Sequence, residues 1–453
     1  MVYPTPGPLA GRIGVPGDKS VTHRALMLAA LCEGDTEILN AGGGEDNYAT
    51  AAALRQLGVA VRHAEATIWV IRGVGLHGLK NPAEPIDCAN SGTTARLLSG
   101  ILAGAGVEAT LIGDPSLSRR PMARVAAPLT DLGYRIETSE GGRLPLRVMA
   151  ECDRERVNAP VRAVLRTASA QVKSAILLAG LFRAGVTEVV EPEVTRDHSE
   201  RLLRALGVRV SSSPHYARPA EGARLDTAPS CRLVAPQVMR GTSIAVPGDI
   251  SSAAFLWVAG MLTGGGITVE GVGLNPTRTG VLHVFEAMGA RARSSRRAVL
   301  SSGEPAGDLL VTADRLRGAT IEGPQIPLLI DEIPILAVLA AVAEGTTHFR
   351  DAAELRVKES DRIATVATLL RALGREVEER QDGFSVAGTA AANWPGFEID
   401  SAGDHRIAIA GVVAALAASS PSCIRDAGAI DVSYPSLVDD LRRLGARLEW
   451  SDT

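Results

Sequence analysis

Two kinds of short helical segment alternate along this chain six times, and that internal repetition constrains the fold more than any other feature. Apolar segments run at 23–34 (HRALMLAALCEG), 94–106 (TARLLSGILAGAG), 173–185 (KSAILLAGLFRAG), 252–265 (SAAFLWVAGMLTGG), 333–345 (IPILAVLAAVAEG) and 405–418 (HRIAIAGVVAALAA). Five of the six end in glycine, as a helix C-cap in left-handed conformation prefers. A second, amphipathic segment in each repeat closes on Gly58, Gly133, Gly207, Gly289, Gly374 or Gly445 before a strand-like stretch. These glycines recur at about one sixth of the chain, a regularity that chance apolar runs rarely give, so the spacing predicts six similar α/β units.

The units fall into two halves. VPGDKS at 15–20 is echoed by VPGDISS at 246–252, each just before the first apolar helix of three. An ordinary doubly wound α/β protein would explain the helices but not these matching turns. At 453 residues the chain exceeds one ordinary core, and two domains follow. The strand ending near Val15 resembles SIAVPGD of the second half, so the chain is expected to begin in one domain, cross over, and return near residue 242. The expected domains are 1–19 plus 242–453, and 20–241, joined by two short hinge-like crossings.

Composition excludes several functions. The 47 basic and 51 acidic residues give a net charge of -4, which offers no global field for nucleic acid. Any anion site must be local. Five scattered cysteines and eight dispersed histidines show no CxxC pair and no metal-ligand spacing, pointing to a reducing, cytoplasmic setting with no metal. The start of the chain has neither a basic nor an apolar leader region. The longest apolar run, 407–418, is short of the ~20 residues of a membrane span.

The informative residues stand immediately before the apolar helices, where unpaired N–H groups and the helix dipole favour phosphate and carboxylate. Lys19, Ser20 and Arg24 lie within about one helical turn, although Asp18 or Ser20 capping a helix is the plain alternative. Asn90 to Arg96 (NSGTTAR) has the small residues that let a backbone approach a ligand, with Gly92 at its centre. Arg119 and Arg120 follow nearby. Ser169, Gln171 and Lys173 offer hydroxyl, amide and ammonium groups, with capping by Ser169 as the competing explanation. Arg196 and Asp197 are open to pairing with each other or to capping.

The second half supplies Asp331 and Glu332 (LIDEIP), Lys358, Glu359, Asp361 and Arg362 (RVKESDR), and Asp404, His405 and Arg406 as acid, base and anion-binding candidates. Charge runs of the RVKESDR kind are usually solvated helix faces. Here carboxylates beside Lys and Arg match an arrangement for proton transfer. GVGLHG at 73–78 fits a dinucleotide fingerprint, but Pro82 and Pro85 preclude the helix it needs, so it reads as a turn.

In these motifs, from VPGDKSVTHRALMLAAL through NSGTTARLL, DPSLSRRPMARV, SAQVKSAILLAGL, TRDHSERLL, VPGDISSAA, NPTRTG, LIDEIP and AAELRVKESDR to DHRIA, the chain resembles the 5-enolpyruvylshikimate-3-phosphate (EPSP) synthase family across nearly its whole length. The resemblance implies two inside-out α/β domains, each of three βαβαββ units, with an interdomain cleft that closes over the substrates. It implies that shikimate 3-phosphate contacts Lys19, Ser20, Arg24, Ser169, Gln171, Asp331 and Lys358, and that phosphoenolpyruvate is held by Lys19, Gly92, Arg120, Gln171, Arg362 and Arg406. No cofactor is implied, and a monomer is expected.

In the reaction so implied, C3 of phosphoenolpyruvate is protonated as the shikimate 5-hydroxyl attacks C2, and the tetrahedral intermediate expels phosphate. Asp331 is assigned as base, and Glu359 with Lys19 as proton donor; both acid and base are consumed and restored, which leaves the roles interchangeable. Departures from the family's commonest pattern are Ala170 for a second Ser, Leu97 for Pro, Val432 at a position that is Lys in some members, and a glycine-rich 40–46 loop. Enolpyruvyl transfer to a UDP-amino sugar is the nearest alternative, but its reactive Cys is missing from SLSRRPM. A catalytically inactive binding protein would be expected to lose carboxylates, and Asp331 and Glu359 are both present.

Overall fold

A computed structural model describes residues 1–214, 228–235 and 237–450. The chain divides into an N-terminal unit, Gly17–Pro247 with Val299–Glu304, and a C-terminal unit, Met1–Pro16, Gly248–Ala298 and Pro305–Thr453. The crossings thus fall at 16/17 and 247/248, not at 19/20 and 241/242, and strand pairing supplies the reason. Ser243–Ala245 lies parallel to Glu33–Leu39 of the N-terminal unit, whereas Gly11–Gly14 lies parallel to Ile267–Gly273 of the C-terminal unit. Each VPGD turn therefore leaves a strand of one unit and enters a helix of the other. The turns exchange equivalent bonds: Asp18 N–H donates to Pro247 O at 2.8 Å and Asp249 N–H to Pro16 O at 2.9 Å. Lys19 accordingly belongs with Ser20 and Arg24. A third excursion, Val299–Glu304, carries no signal in the sequence.

Five four-stranded sheets repeat one design, in which an edge strand lies parallel to its neighbour; in four of them the strand order along the chain is first, second, fourth, third, and in the fifth the parallel edge strand, Ser243–Ala245, comes last in the chain. In the N-terminal unit Glu33–Leu39 is followed in its sheet by Ile68–Val74 and Ala60–Glu65. The sixth sheet starts the same way, with Glu398–Asp400 parallel to Cys423–Arg425. Antiparallel bridges from Val2 to Ser422 and Leu448 supply the remaining positions. Repetition leaves the last unit short of a strand, and the first residues of the chain fill the gap.

The apolar helices are inside and the sheets outside. In the N-terminal unit Gly92–Ala105 packs on Lys19–Ala30 and on Ala170–Gly180; in the C-terminal unit Ile250–Leu262, Ile333–Ala340 and His405–Leu416 pack on one another. All eight residues of Ile333–Ala340 and all twelve of His405–Leu416 are buried, which explains why these segments are apolar on every side. Third strands such as Ala60–Glu65 and Arg291–Val299 lie at sheet edges and are largely exposed. Across the sheet, Phe349 stacks on its partner Phe384 at 4.7 Å.

All six closing glycines have positive φ, between 70° and 103°. Each follows a helix whose C-cap is Leu or Met. The apolar helices differ from expectation. Gly106 does cap its helix in the left-handed region and Gly264 directly follows a C-cap, but Gly34, Gly185 and Gly345 lie within strands beyond helices that stop at Ala30, Gly180 and Ala340. Their positive φ turns the chain into the next strand. The strand that carries Gly73 ends at Val74, and residues 76–77 form a turn with no helix directly behind it.

Candidate active site

In the N-terminal unit three helix starts bear the candidates. Asp18 caps Lys19–Ala30 by accepting from Val21 N at 2.9 Å, so Ser20 and Lys19 are free of that role. The Lys19 ammonium sits 2.9 Å from Asp46. Asp46 ends the glycine-rich 40–46 loop and lies in the first turn of the helix Glu45–Gln56. Arg24 is buried, and its guanidinium donates to Ser199 Oγ (2.8 Å), Ser174 Oγ (3.0 Å) and Ser20 O (2.9 Å). Burial lowers its pKa, opposed chiefly by Glu200.

Ser91 caps Gly92–Ala105 and Ser169 caps Ala170–Gly180. Arg96 Nη1 donates to Gln171 Oε1 at 2.8 Å, and Gln171 Nε2 donates to Thr93 Oγ1 at 3.1 Å. Arg120, in extended backbone after a short helix, donates to Asn90 O (3.2 Å), Asn90 Oδ1 (2.5 Å) and Ser116 Oγ (3.2 Å). A Cβ on Gly92 would lie 2.7 Å from Arg96 Nη1 and 3.5 Å from Arg120 Nη1. Gly92, Arg120 and Gln171 are therefore gathered, and glycine at 92 is what admits the Arg96 guanidinium. Such N–H donors in a fixed plane suit carboxylate and phosphate.

Behind these residues runs a buried chain in which His23 Nδ1 meets Thr50 Oγ1 (2.7 Å), Thr50 meets Thr94 Oγ1 (2.6 Å), and Thr94 donates to Ser91 Oγ (2.8 Å). Thr94 has one hydroxyl proton, spent on Ser91, so Thr50 donates to Thr94 and His23 Nδ1–H donates to Thr50. Burial, with Lys19 and Arg24 nearby, keeps the His23 pKa well below its usual value, consistent with a neutral ring. Lys173 is a correction: its ammonium is fully buried between Glu191 and Glu200, both at 2.9 Å, and is committed to the interior.

In the C-terminal unit Asp331, Lys358, Glu359, Arg362 and Arg406 form one cluster. Arg362 is fully buried and reaches Asp404 (2.8 Å), Glu359 (2.6 Å) and Asp331 (3.3 Å). Burial opposes its charge, but the carboxylates of Asp404, Glu359 and Asp331 outweigh it and raise the guanidinium's pKa. Asp331 also has Lys358 at 3.7 Å and Arg406 at 3.9 Å, while Arg406 Nη1 donates to Asp331 O at 3.1 Å. Burial lowers the Lys358 ammonium, with Asp331 opposing. Asp404 caps His405–Leu416 through Arg406 N, which leaves it structural rather than an acid or base. Glu332 likewise turns inward. Asp197 pairs with Arg201 at 2.8 Å.

A dense set of cations around two carboxylates, beside helix starts, can bind multiply negative small molecules and exchange protons with them. Comparison with known proteins is consistent. A profile of the EPSP synthase (3-phosphoshikimate 1-carboxyvinyltransferase) family matches residues 4–441. The chain is 48% identical over 443 residues to 3-phosphoshikimate 1-carboxyvinyltransferase of Synechococcus sp. (strain RCC307), covering 97% of each. It is 46% identical over 438 residues to that of Desulforamulus reducens, covering 96% of this chain and 97% of the relative. The structure of EPSP synthase from Acinetobacter baumannii superposes with a TM-score of 0.84 at 40% identity, covering 100% and 99% of the two chains. On the full-length match in sequence and fold, the chain belongs to the EPSP synthase family.

Proposed function

We propose that the chain carries out its family's reaction, moving the enolpyruvyl group of phosphoenolpyruvate to the 5-hydroxyl of shikimate 3-phosphate and releasing phosphate, in chorismate and aromatic amino acid biosynthesis. Lys19, Ser20, Arg24, Ser169, Gln171, Asp331 and Lys358 contact shikimate 3-phosphate in this reading. Lys19, Gly92, Arg120, Gln171, Arg362 and Arg406 hold phosphoenolpyruvate. The observation that carries it is the Asp331 carboxylate with guanidinium or ammonium nitrogens at 3.3, 3.7 and 3.9 Å. A base that must act on a hydroxyl beside a phosphate and a carboxylate needs such cations to offset the substrates' charge.

Asp331 takes the 5-hydroxyl proton as the oxygen bonds to C2, and Glu359, with Lys19, supplies a proton to C3. Glu359 then takes a proton back from the resulting methyl group while phosphate leaves C2 and carries off the proton held by Asp331, which regenerates the double bond and restores both groups. Bidentate guanidinium contacts hold C2 against the hydroxyl. The reading includes a monomer working in the cytoplasm. Five free cysteines fit a reducing compartment, and no single helix among the described residues is long and apolar enough to cross a membrane.

Phosphate release from phosphoenolpyruvate is the test, measured with shikimate 3-phosphate and separately with UDP-N-acetylglucosamine. Release with the first acceptor is expected; release with the second alone reverses the choice. Asp331→Ala is expected to abolish turnover while shikimate 3-phosphate still binds.

A further inference from the structure

The segment 275–280, NPTRTG, has no role in the scheme above, yet its arginine is almost completely buried. Asn275 Oδ1 accepts from Thr277 N at 2.9 Å and from Thr277 Oγ1 at 2.8 Å, which fixes the turn that delivers Arg278. Arg278 Nη2 donates to Ser251 Oγ at 2.7 Å and lies 3.3 Å from Glu332 Oε1 and 3.5 Å from Asp249 Oδ1. Ser251 Oγ in turn donates to Glu332 Oε1. Glu332 is fully buried, and although it precedes Ile333–Ala340 its side chain does not cap that helix.

Asp331 and Glu332 occupy the corner where Gly323–Leu329 and Ile333–Ala340 meet at 110°. Their side chains are held by different partners: Asp331 by Lys358, Arg362 and Arg406, Glu332 by Ser251 and Arg278. One rigid peptide joins the two residues, so a corner free to rotate at Glu332 moves the Asp331 carboxylate as well.

We infer that Arg278 is a positioning residue for the reaction, acting through Ser251 and Glu332 to set the Asp331 carboxylate against its cations. The inference rests on the reading of Asp331 as the base. Arg278→Lys keeps the charge but not the planar fork, and Arg278→Met/Glu332→Met removes both buried charges together. Each is compared with the parent and with Asp331→Ala by steady-state kinetics and thermal unfolding.

Both Arg278 variants are expected to lose about 10- to 100-fold in kcat, as displacement of a reacting group by about 1 Å does, with KM for both substrates within about 3-fold because the cations remain. The double variant is expected to unfold at a higher temperature than Arg278→Met alone without regaining kcat. A purely structural role predicts the opposite, kcat returning with stability, and that result, or parental kcat in folded Arg278→Lys, overturns the inference. Full activity of Asp331→Ala would instead remove the reading of Asp331, and the two failures are distinct.

Discussion

Replacing Arg362 by Met tests the electrostatics of the C-terminal cluster directly. The guanidinium is fully buried and touches Asp404 at 2.8 Å, Glu359 at 2.6 Å and Asp331 at 3.3 Å. Methionine fills much of the space but takes the guanidinium away from three carboxylates: Asp331 keeps Lys358 and Arg406, while Asp404 keeps Ser360 Oγ at 3.0 Å and Arg406 N at 2.9 Å. Removing one partner of a buried ion pair costs about 3–5 kcal/mol. Unfolding entropy near 2.1 cal/mol/K per residue, over a unit of roughly 200 residues, makes that a drop of roughly 7–12 °C in Tm.

The deficit must also depend on pH. Carboxylates buried with one cation fewer bind protons more readily when folded than when unfolded, so the stability regained by protonation in the variant is present at low pH and lost as pH rises through the folded-state values. The Tm gap between parent and variant is therefore expected to be smaller at pH 5 than at pH 8, measured by calorimetry at both. A gap under 2 °C, or one that is constant with pH, refutes the view that Arg362 neutralises buried charge.

Gly92→Ala places a methyl 2.7 Å from Arg96 Nη1; the guanidinium moves aside and the Arg96–Gln171 bond is lost, a charged hydrogen bond worth about 1.5–3 kcal/mol, so Tm falls by roughly 4–7 °C in thermal unfolding and, with Gln171 no longer held, KM for phosphoenolpyruvate rises in steady-state kinetics. Because burial lowers Lys358 below the ordinary 10.5, its charge is lost at lower pH than that of a free lysine. KM for shikimate 3-phosphate is expected to climb on the alkaline side before pH 10.5, and Lys358→Arg, which stays protonated, moves that limb upward. Gly374→Ala has φ of 70° and open space around the new Cβ, so backbone strain alone applies: about 1–2 kcal/mol, or roughly 2–5 °C in Tm, read by thermal unfolding.

Local rules made the repeat visible. A glycine closing each amphipathic helix is a requirement on one residue's φ, and apolarity on every side marks a helix surrounded by others; both are written into short windows of sequence. The same holds for the caps Asp18, Ser169 and Asp404, whose side chains answer N–H groups two or three residues away. Single motifs likewise marked the stretches that bear Lys19, Gly92, Arg120, Asp331, Arg362 and Arg406.

Pairing between distant residues was beyond that reach. Nothing in the segment 15–20 tells that its preceding strand joins Ile267–Gly273, or that Val2 completes the sheet of Cys423–Arg425. Nor does the motif SAQVKS reveal that Lys173 faces Glu191 and Glu200 while Gln171 faces Arg96. The run RVKESDR marks Arg362 as a candidate beside carboxylates of its own segment, but only folding buries it and surrounds it with Asp331 and Asp404 from other helix starts. The sequence by itself determined the repeating elements, because helix ends and apolar faces obey contacts a few residues apart. Tertiary structure alone decided which charges are buried and paired, because that depends on neighbours brought together from far along the chain, where solvent exclusion sets the strength of every ion pair.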